Sequence, residues 1–223
     1  MSARLMAGLV SLLSLGLCTG RAEPVSSPDR RVVVYLQAGW SGKPDNTVSY
    51  MQRELETLMR EAGYLVTWKI PGNPSDEGES MIAVVELRGS CKAPEARSHV
   101  TPVQNGASLA STAVDGDHVL PFSWINCETL TQMLAPSLVG VSSKQRDFLY
   151  GRAMGRVLAH ELYHMLANER EHVGSGVGKP SFSAKDVLNE SFTFEETALA
   201  KFRDSGSSVF TEQPAAGEED TSR

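Results

Sequence analysis

SSKQRDFLYGRAMGRVLAHELYHMLAN spans residues 142–168 and contains no proline. Ser142 and Gln145 match the pattern of a capping box, in which two side chains satisfy the free backbone N–H groups at a helix start. Apolar residues then recur at helical spacing, at Leu149, Met154, Leu158, Leu162 and Met165 or Leu166. The stretch therefore predicts one long helix over residues 143–167 whose apolar face lies in the core.

The chain before this helix begins with a strand pattern and a second helix pattern. The β-branched run at residues 32–36 predicts a strand that is covered on both faces and is therefore central in its sheet. Residues 45–64, DNTVSYMQRELETLMREAGY, repeat apolar side chains at helical spacing. Asn46 or Thr47 can cap the start of this helix, and Gly63 can end it.

Two more strands follow this helix. LVTWKI at residues 65–70 predicts the first, and because the crossover from the strand before the helix is short, we expect those two strands to pair in parallel. MIAVVEL at residues 81–87 predicts the second, after a Pro-rich and Gly-rich loop. CETLTQMLAP, which lies closer to the long helix, predicts a short helix.

A hairpin is predicted between these strands and the long helix. Strand patterns at residues 108–114 and 118–125 flank the turn dipeptide Asp115-Gly116. Pro121 has no N–H to donate, so the second strand is expected either to lie at a sheet edge or to be interrupted by a bulge. Together the strand and helix patterns predict an α+β fold.

Composition excludes two classes of protein. The 223 residues are 41% apolar and 22% charged, which indicates one globular domain, expected over residues 30–204. The net charge of −6 and the absence of a basic cluster exclude a nucleic-acid binder. The mature chain has no apolar run long enough to span a bilayer. We expect a monomer.

The first 22 residues follow the plan of a secretory signal peptide. Arg4 precedes an apolar run at residues 5–17, and small residues follow at Gly20 and Ala22, after which we expect cleavage. A membrane anchor would need about 20 apolar residues, more than this run provides. Lipid attachment at Cys18 is the other alternative, although the large Leu17 precedes it. The signal predicts a secreted or periplasmic protein.

Two cysteines remain after the signal, Cys91 and Cys127. In an exported protein such a pair favours a disulfide, with two buried thiols as the alternative. The two cysteines are too far apart in sequence for a zinc-binding Cys pair. The polar, acidic segment 205–223 is predicted to be a disordered tail.

The motif HELYH at residues 160–164 indicates a metal site. His160 and His164 are four residues apart, so both imidazoles leave one helix face about 6 Å apart and can reach a single ion. In the His-Glu-x-x-His pattern two histidines bind zinc and the glutamate acts as general base. The pattern therefore predicts a Zn²⁺ site with Glu161 as the catalytic residue.

A catalytic zinc usually has three protein ligands, and His172 is the nearest candidate for the third. In an unbroken helix His172 would lie about 12 Å along the axis from His164, so the chain must turn back. Asn168 can adopt the left-handed conformation at a helix end, and a glycine-rich stretch follows it. The alternative third ligands are carboxylates farther on, Glu190, Glu195 and Glu196. His99 and His118 are expected to be structural or exposed.

These residues resemble the signature of the zincin metallopeptidases. The order of strands and helices over residues 32–172 is similar to the catalytic core of the metzincin clan, whose signature is HExxHxxGxxH. Here Ala167 takes the glycine position and Arg170 the third-histidine position, and no methionine follows Met165. The chain is similar as well to secreted bacterial proteins that share a GRVLAHELYHMLA helix. The resemblance implies a mixed, twisted sheet with a long active-site helix.

The resemblance implies a secreted zinc metallopeptidase that hydrolyses peptide or protein substrates. It implies that an edge strand beside the cleft binds the extended substrate, for which the hairpin containing residues 119–125 is the candidate. Tyr163, Lys179 and Ser181 are near enough in sequence to stabilise the oxyanion, and the sequence does not choose among them. The alternatives are an exported zinc-binding domain without catalysis and a hydrolase of non-peptide amides or esters.

Overall fold

A computed structural model of the chain describes residues 30–38, 46–70, 81–95 and 107–208. These residues form a mixed α+β fold in which helices pack against a five-stranded sheet. The predicted signal peptide at residues 1–22, His99, and residues 209–223 of the predicted tail lie outside the described residues.

The sheet is mixed, with one antiparallel strand at its edge. Its strands are β1 (Arg30–Ala38), β2 (Tyr64–Lys69), β3 (Met81–Arg88), β4 (Ala110–Asp115) and β5 (His118–Asn126). They lie in the order β2-β1-β3-β5-β4, and every pair is parallel except β4 with β5. The predicted parallel pairing of β1 with β2 is confirmed. So is the interior position of β1, where Val32, Val33 and Val34 are fully buried.

The first three helices begin and end close to the predicted residues, and the last two were not predicted. They are α1 (Asn46–Glu61), α2 (Cys127–Leu134), α3 (Ser143–Ala167), α4 (Ala184–Leu188) and α5 (Glu196–Ser208), with short 3-10 helices at Ala135–Leu138 and Gly176–Gly178. α3 has the predicted bounds, and the Ser142 side chain accepts a hydrogen bond from Gln145 N at its start. Gly63 follows α1 with φ of 85°, as expected of a helix-ending glycine.

α1 and α3 pack closely because two glycines of α3 face α1. A Cβ atom on Gly151 would lie 2.3 Å from the Thr47 carbonyl oxygen, and one on Gly155 would lie 2.7 Å from the Met51 carbonyl oxygen. Neither glycine can therefore carry a side chain while the helices keep this distance. The contact fixes α3 in the core, and the residues that follow in α3, from Val157 to His164, are all buried.

β5 does not lie at an edge, although Pro121 allowed that prediction. It pairs with β3 on one side and with β4 on the other, so the edge alternative is wrong. The bulge alternative is confirmed: Thr112 lies opposite Ser123 and Val114 opposite Val119, which leaves three residues of β5 facing one of β4. Pro121 lies within that irregular stretch, where its missing N–H breaks no regular ladder bond.

The predicted disulfide forms between Cys91 and Cys127, with their Cα atoms 4.9 Å apart. It joins the segment after β3 to the first residue of α2, and both cysteines are buried. α5 continues to Ser208, so the predicted domain end at residue 204 falls inside a helix, and Ser205 Oγ donates to the Leu166 carbonyl. No helix in the described part of the chain is long and apolar enough to cross a membrane.

Candidate metal centre

The C-terminal half of α3 holds two imidazoles against each other. His160 and His164 are four residues apart, and their Nε2 atoms lie 3.1 Å from one another. The two residues are 7% and 8% exposed, because α3 runs between the sheet and the loops that follow it. The predicted common face is confirmed, and the two nitrogens point at the same place.

The other ring nitrogen of each histidine is bound to a backbone carbonyl. His160 Nδ1 donates to Val177 O at 2.7 Å, and His164 Nδ1 donates to Glu169 O at 2.6 Å. A carbonyl only accepts, so each neutral ring carries its proton on Nδ1 and a lone pair on Nε2. Metal-binding histidines are typically oriented by such a bond on the far nitrogen.

Burial keeps both rings neutral at pH 7. It lowers the pKa of His160 to about 4, with His164 and His172 nearby lowering it further and the Val177 hydrogen bond opposing the shift. Burial likewise lowers the pKa of His164. Two neutral rings in this tautomer direct lone pairs at each other across 3.1 Å, an arrangement that a cation between them would stabilise.

His172 joins this pair because the chain reverses after α3. Asn168 ends the helix in the left-handed conformation, with φ of 48° and ψ of 46°, as the sequence predicts. The returning loop is held by Val173 N donating to Gly178 O at 2.8 Å. The exposed His172 ring then stacks on that of His160, with 5.1 Å between ring centroids. Possible ligand atoms of His160, His164 and His172 all lie within 4.8 Å of one another.

The downstream carboxylates do not reach this cluster. Within the described ranges, the three histidines form the one group of His, Cys, Asp or Glu side chains that could hold a metal ion. Glu195 instead accepts from Ser175 Oγ, and Glu196 accepts from Arg203. Glu190 is exposed outside the group, and His118 is exposed at the start of β5. The structure thus brings His172 to the pair and leaves the alternative ligands elsewhere.

His160 and His164 fit a zinc ion by donor type and by spacing, and His172 adds a third donor of the same type within 4.8 Å. Two Zn–N bonds of about 2.0–2.1 Å at a tetrahedral angle place their nitrogens about 3.3–3.4 Å apart. The observed Nε2 separation of 3.1 Å is close to that value. Three imidazoles with the fourth position open are a ligand set of catalytic zinc sites.

Glu161 lies beside the histidines in a nearly closed environment. It is 5% exposed, and burial raises the pKa of its carboxyl to about 7, an effect that the hydrogen bond from Thr112 partly offsets. Thr112 Oγ1 donates to Glu161 Oε2 at 2.6 Å. The Glu161 side chain is one of the groups that line the cleft next to His160 and His164.

This cleft, of about 470 Å³, lies between β4 and the loop that follows α3. Its wall on one side is formed by residues of and near β4, including Ala110 and Thr112, and on the other by residues of the loop, including Arg170 and Phe182. Arg170 bridges the two walls at one end, because its guanidinium binds Asp117 in the β4–β5 turn at 3.1 Å. The three histidines and Glu161 lie between the walls.

The strand with a free edge at this cleft is β4. The predicted substrate-binding element is the hairpin that contains residues 119–125, and within it β5 pairs on both sides and has no free edge. In the described part of the chain β4 pairs only with β5, so its other edge retains N–H and C=O groups that can pair with an extended chain. The free edge therefore lies on the other strand of the predicted hairpin, and substrate binding by that hairpin stays a prediction.

Of the three oxyanion candidates, only Ser181 lines the cleft. Tyr163 is fully buried, and its hydroxyl donates to Glu171 O at 3.5 Å. Lys179 Nζ binds Asp186 Oδ1 at 2.8 Å. Sequence reasoning missed Thr112 altogether. The alternation of β4 places Thr112 on the same face as Ala110, but that pattern does not say which face meets α3.

Comparison with known proteins adds nothing to this geometry. The chain matches no protein-family model, no curated protein and no solved structure.

Proposed function

We propose that this protein is an exported zinc-dependent metallopeptidase with a zincin-like, metzincin-like fold. The observation that carries the proposal is the pair of Nε2 atoms, 3.1 Å apart, whose rings are each held through Nδ1 by a backbone carbonyl. That arrangement prepares two lone pairs for one cation, and His172 supplies a third donor beside them.

In this proposal His160, His164 and His172 hold the zinc ion. When bound, zinc supplies a water of lowered pKa and polarises a substrate carbonyl. Glu161 would be placed to accept a proton from a water that attacks the carbonyl carbon, and to donate that proton to the amine nitrogen as the C–N bond breaks. Ser181 is the candidate for stabilising the oxyanion, because it is exposed and lines the cleft.

A peptide is the substrate that fits the cleft best. The free edge of β4 runs along one wall, and an extended chain can add to it as a further strand. Such pairing uses backbone groups that every peptide has, and side chains at alternate positions then point into the cleft. A small amide or ester would make no use of this edge.

The arrangement of the sheet supports a zincin-like core. The antiparallel strand β4 flanks the cleft, and α3 passes beneath it carrying HELYH. The departures from the metzincin signature have a structural counterpart: Arg170, in the third-histidine position, turns to Asp117, and His172 reaches the pair from two residues later. The disulfide and the predicted signal peptide support export to an oxidising compartment.

The test is metal content and cleavage of an unfolded protein by the mature chain and three variants. We expect one zinc per chain in the wild type, weaker binding in His172→Ala, and full zinc without cleavage in Glu161→Gln. His118→Ala is the matched control, because His118 is exposed outside the cluster, and it should change neither property. Zinc without any wild-type cleavage would instead favour the zinc-binding domain without catalysis.

A further inference from the structure

Glu161 is held by a residue from another element. In the part of the chain that the structure describes, its carboxylate has one hydrogen-bond partner, Thr112 Oγ1, which donates to Oε2 at 2.6 Å. Thr112 Oγ1 also lies 3.4 Å from the Glu161 carbonyl oxygen. A buried carboxylate with so few partners takes its orientation largely from the bond that it has.

Thr112 belongs to the strand whose free edge faces the cleft. Its backbone is in β4, where an added peptide strand would pair, and its side chain leaves the face of the sheet that meets α3. One residue therefore connects the strand that would align the substrate with the carboxylate that would take the proton.

The Ser123 hydroxyl lies on the strand next to Thr112. Ser123 lies directly opposite Thr112 on β5, is 3% exposed, and its Oγ has no hydrogen-bond partner among the described residues. Cross-strand Thr and Ser side chains can hydrogen-bond to each other. Ser123 Oγ makes no such bond here, so it does not compete with Glu161 for the proton of the Thr112 hydroxyl.

We propose that Thr112 is the positioning residue for Glu161, so that peptide hydrolysis depends on the hydrogen bond from the Thr112 hydroxyl to the Glu161 carboxylate. The inference rests on the proposed function and adds a residue to it. It predicts that loss of the hydroxyl affects the proton-transfer step and leaves the metal site and the substrate-binding edge intact.

The first test compares Thr112→Val with Thr112→Ser in the zinc-loaded enzyme. Valine keeps the shape and loses the hydroxyl, and we expect kcat to fall by about 10- to 100-fold with KM within about threefold of wild type. Serine keeps the hydroxyl and should retain most of kcat. Thr131→Val is the matched control. It removes a hydroxyl that hydrogen-bonds to Tyr150 away from the cleft, and it should leave kcat unchanged.

The second test detects the Thr112–Glu161 hydrogen bond through protein stability and needs no activity assay. Unfolding midpoints in denaturant are measured on the metal-free protein for Thr112→Val, for Glu161→Met and for the double variant. If Thr112 holds Glu161, Thr112→Val lowers the unfolding midpoint of the wild-type protein. In the Glu161→Met background the same substitution should lower the midpoint by under about half of that shift. Equal shifts in the two backgrounds would overturn the proposal.

The two tests separate this inference from the proposed function. A wild-type protein that binds zinc and cleaves no peptide argues against the peptidase, while the unfolding cycle still decides whether Thr112 holds Glu161. In an active enzyme, a Thr112→Val variant with wild-type kcat, or a Thr112→Ser variant as impaired as Thr112→Val, overturns the role of the hydroxyl.

Discussion

The carbonyl oxygen of Val177 accepts a hydrogen bond from His160 Nδ1 at 2.7 Å, across 17 residues of chain. Val177 is fully buried, and its own N–H donates to Thr193 O at 3.0 Å. The candidate metal centre therefore depends on a loop that contributes a main-chain atom, and this loop is shaped by the glycine before Val177.

Gly176→Ala should weaken zinc binding by about 10- to 100-fold, because it disturbs the carbonyl that orients His160. Gly176 has φ of +63°, and a Cβ there would lie 2.5 Å from the Thr193 carbonyl oxygen. Competition with a chromophoric chelator measures the affinity. Gly174→Ala is the matched control, since no atom lies within 4 Å of its Cβ position. Equal losses in the two variants would contradict the role of the Val177 carbonyl.

Asn168→Ala should lower the free energy of unfolding by about 1 kcal/mol, because a Cβ-bearing residue without a polar side chain is strained in the left-handed region. Both substitutions remove the hydrogen bond from Val119 N to Asn168 Oδ1, which is 3.1 Å long, but Asn168→Gly does so without the strain. Denaturant unfolding of both variants compares the two contributions. If glycine destabilises as much as alanine, the bond to Val119 matters more than the backbone conformation.

Removal of the disulfide by replacing both Cys91 and Cys127 with serine should lower the free energy of unfolding. The separation of 36 residues corresponds to about 4 kcal/mol in the chain-entropy description, and measured losses are commonly 2–5 kcal/mol. The bond lies outside the cleft lining, so zinc content in the folded state should be unchanged. A variant that folds as stably as wild type would show that the bond contributes little.

Acid should destabilise the loop around Asp186. The Lys179 ammonium, followed by the Ser183 hydroxyl and amide, lowers the pKa of Asp186 to about 2. A depressed pKa means that the contribution is complete above the unfolded-state pKa of about 3.9 and is lost as pH falls through about 2. Unfolding midpoints between pH 5 and about 2 should fall less steeply in Asp186→Asn. Asp204→Asn, which changes an exposed carboxylate of α5, is the control.

Much of the fold could be predicted because local signals agree with the tertiary structure. Ser142 and Asn168 mark the two ends of α3 through their own side chains and conformations. Gly116, with φ of 56°, is the first of the two residues that join β4 to β5, one position after the start of the predicted turn dipeptide. The position of β5 inside the sheet could not be predicted, because Pro121 is compatible with an edge or with a bulge. Only the pairing partners on both sides decide between them.

The candidate site was predictable where spacing alone decides, as for His160 and His164 on one helix face. His172 could be proposed from Asn168 and the glycines, while the choice between it and Glu195 depends on where the loop returns. Thr112 could not be found in this way. Its contact with Glu161 joins residues 49 apart, and nothing in the strand pattern selects which face meets α3.

The backbone hydrogen bonds to His160 and His164 relate the folding of the protein to metal binding. Sites that exist only after metal arrives tie folding to the metal, as in zinc fingers. Here the rings of His160 and His164 are held in the core by backbone carbonyls, and those two bonds involve no metal. We therefore expect the proposed site to depend on the fold more than the fold depends on an ion.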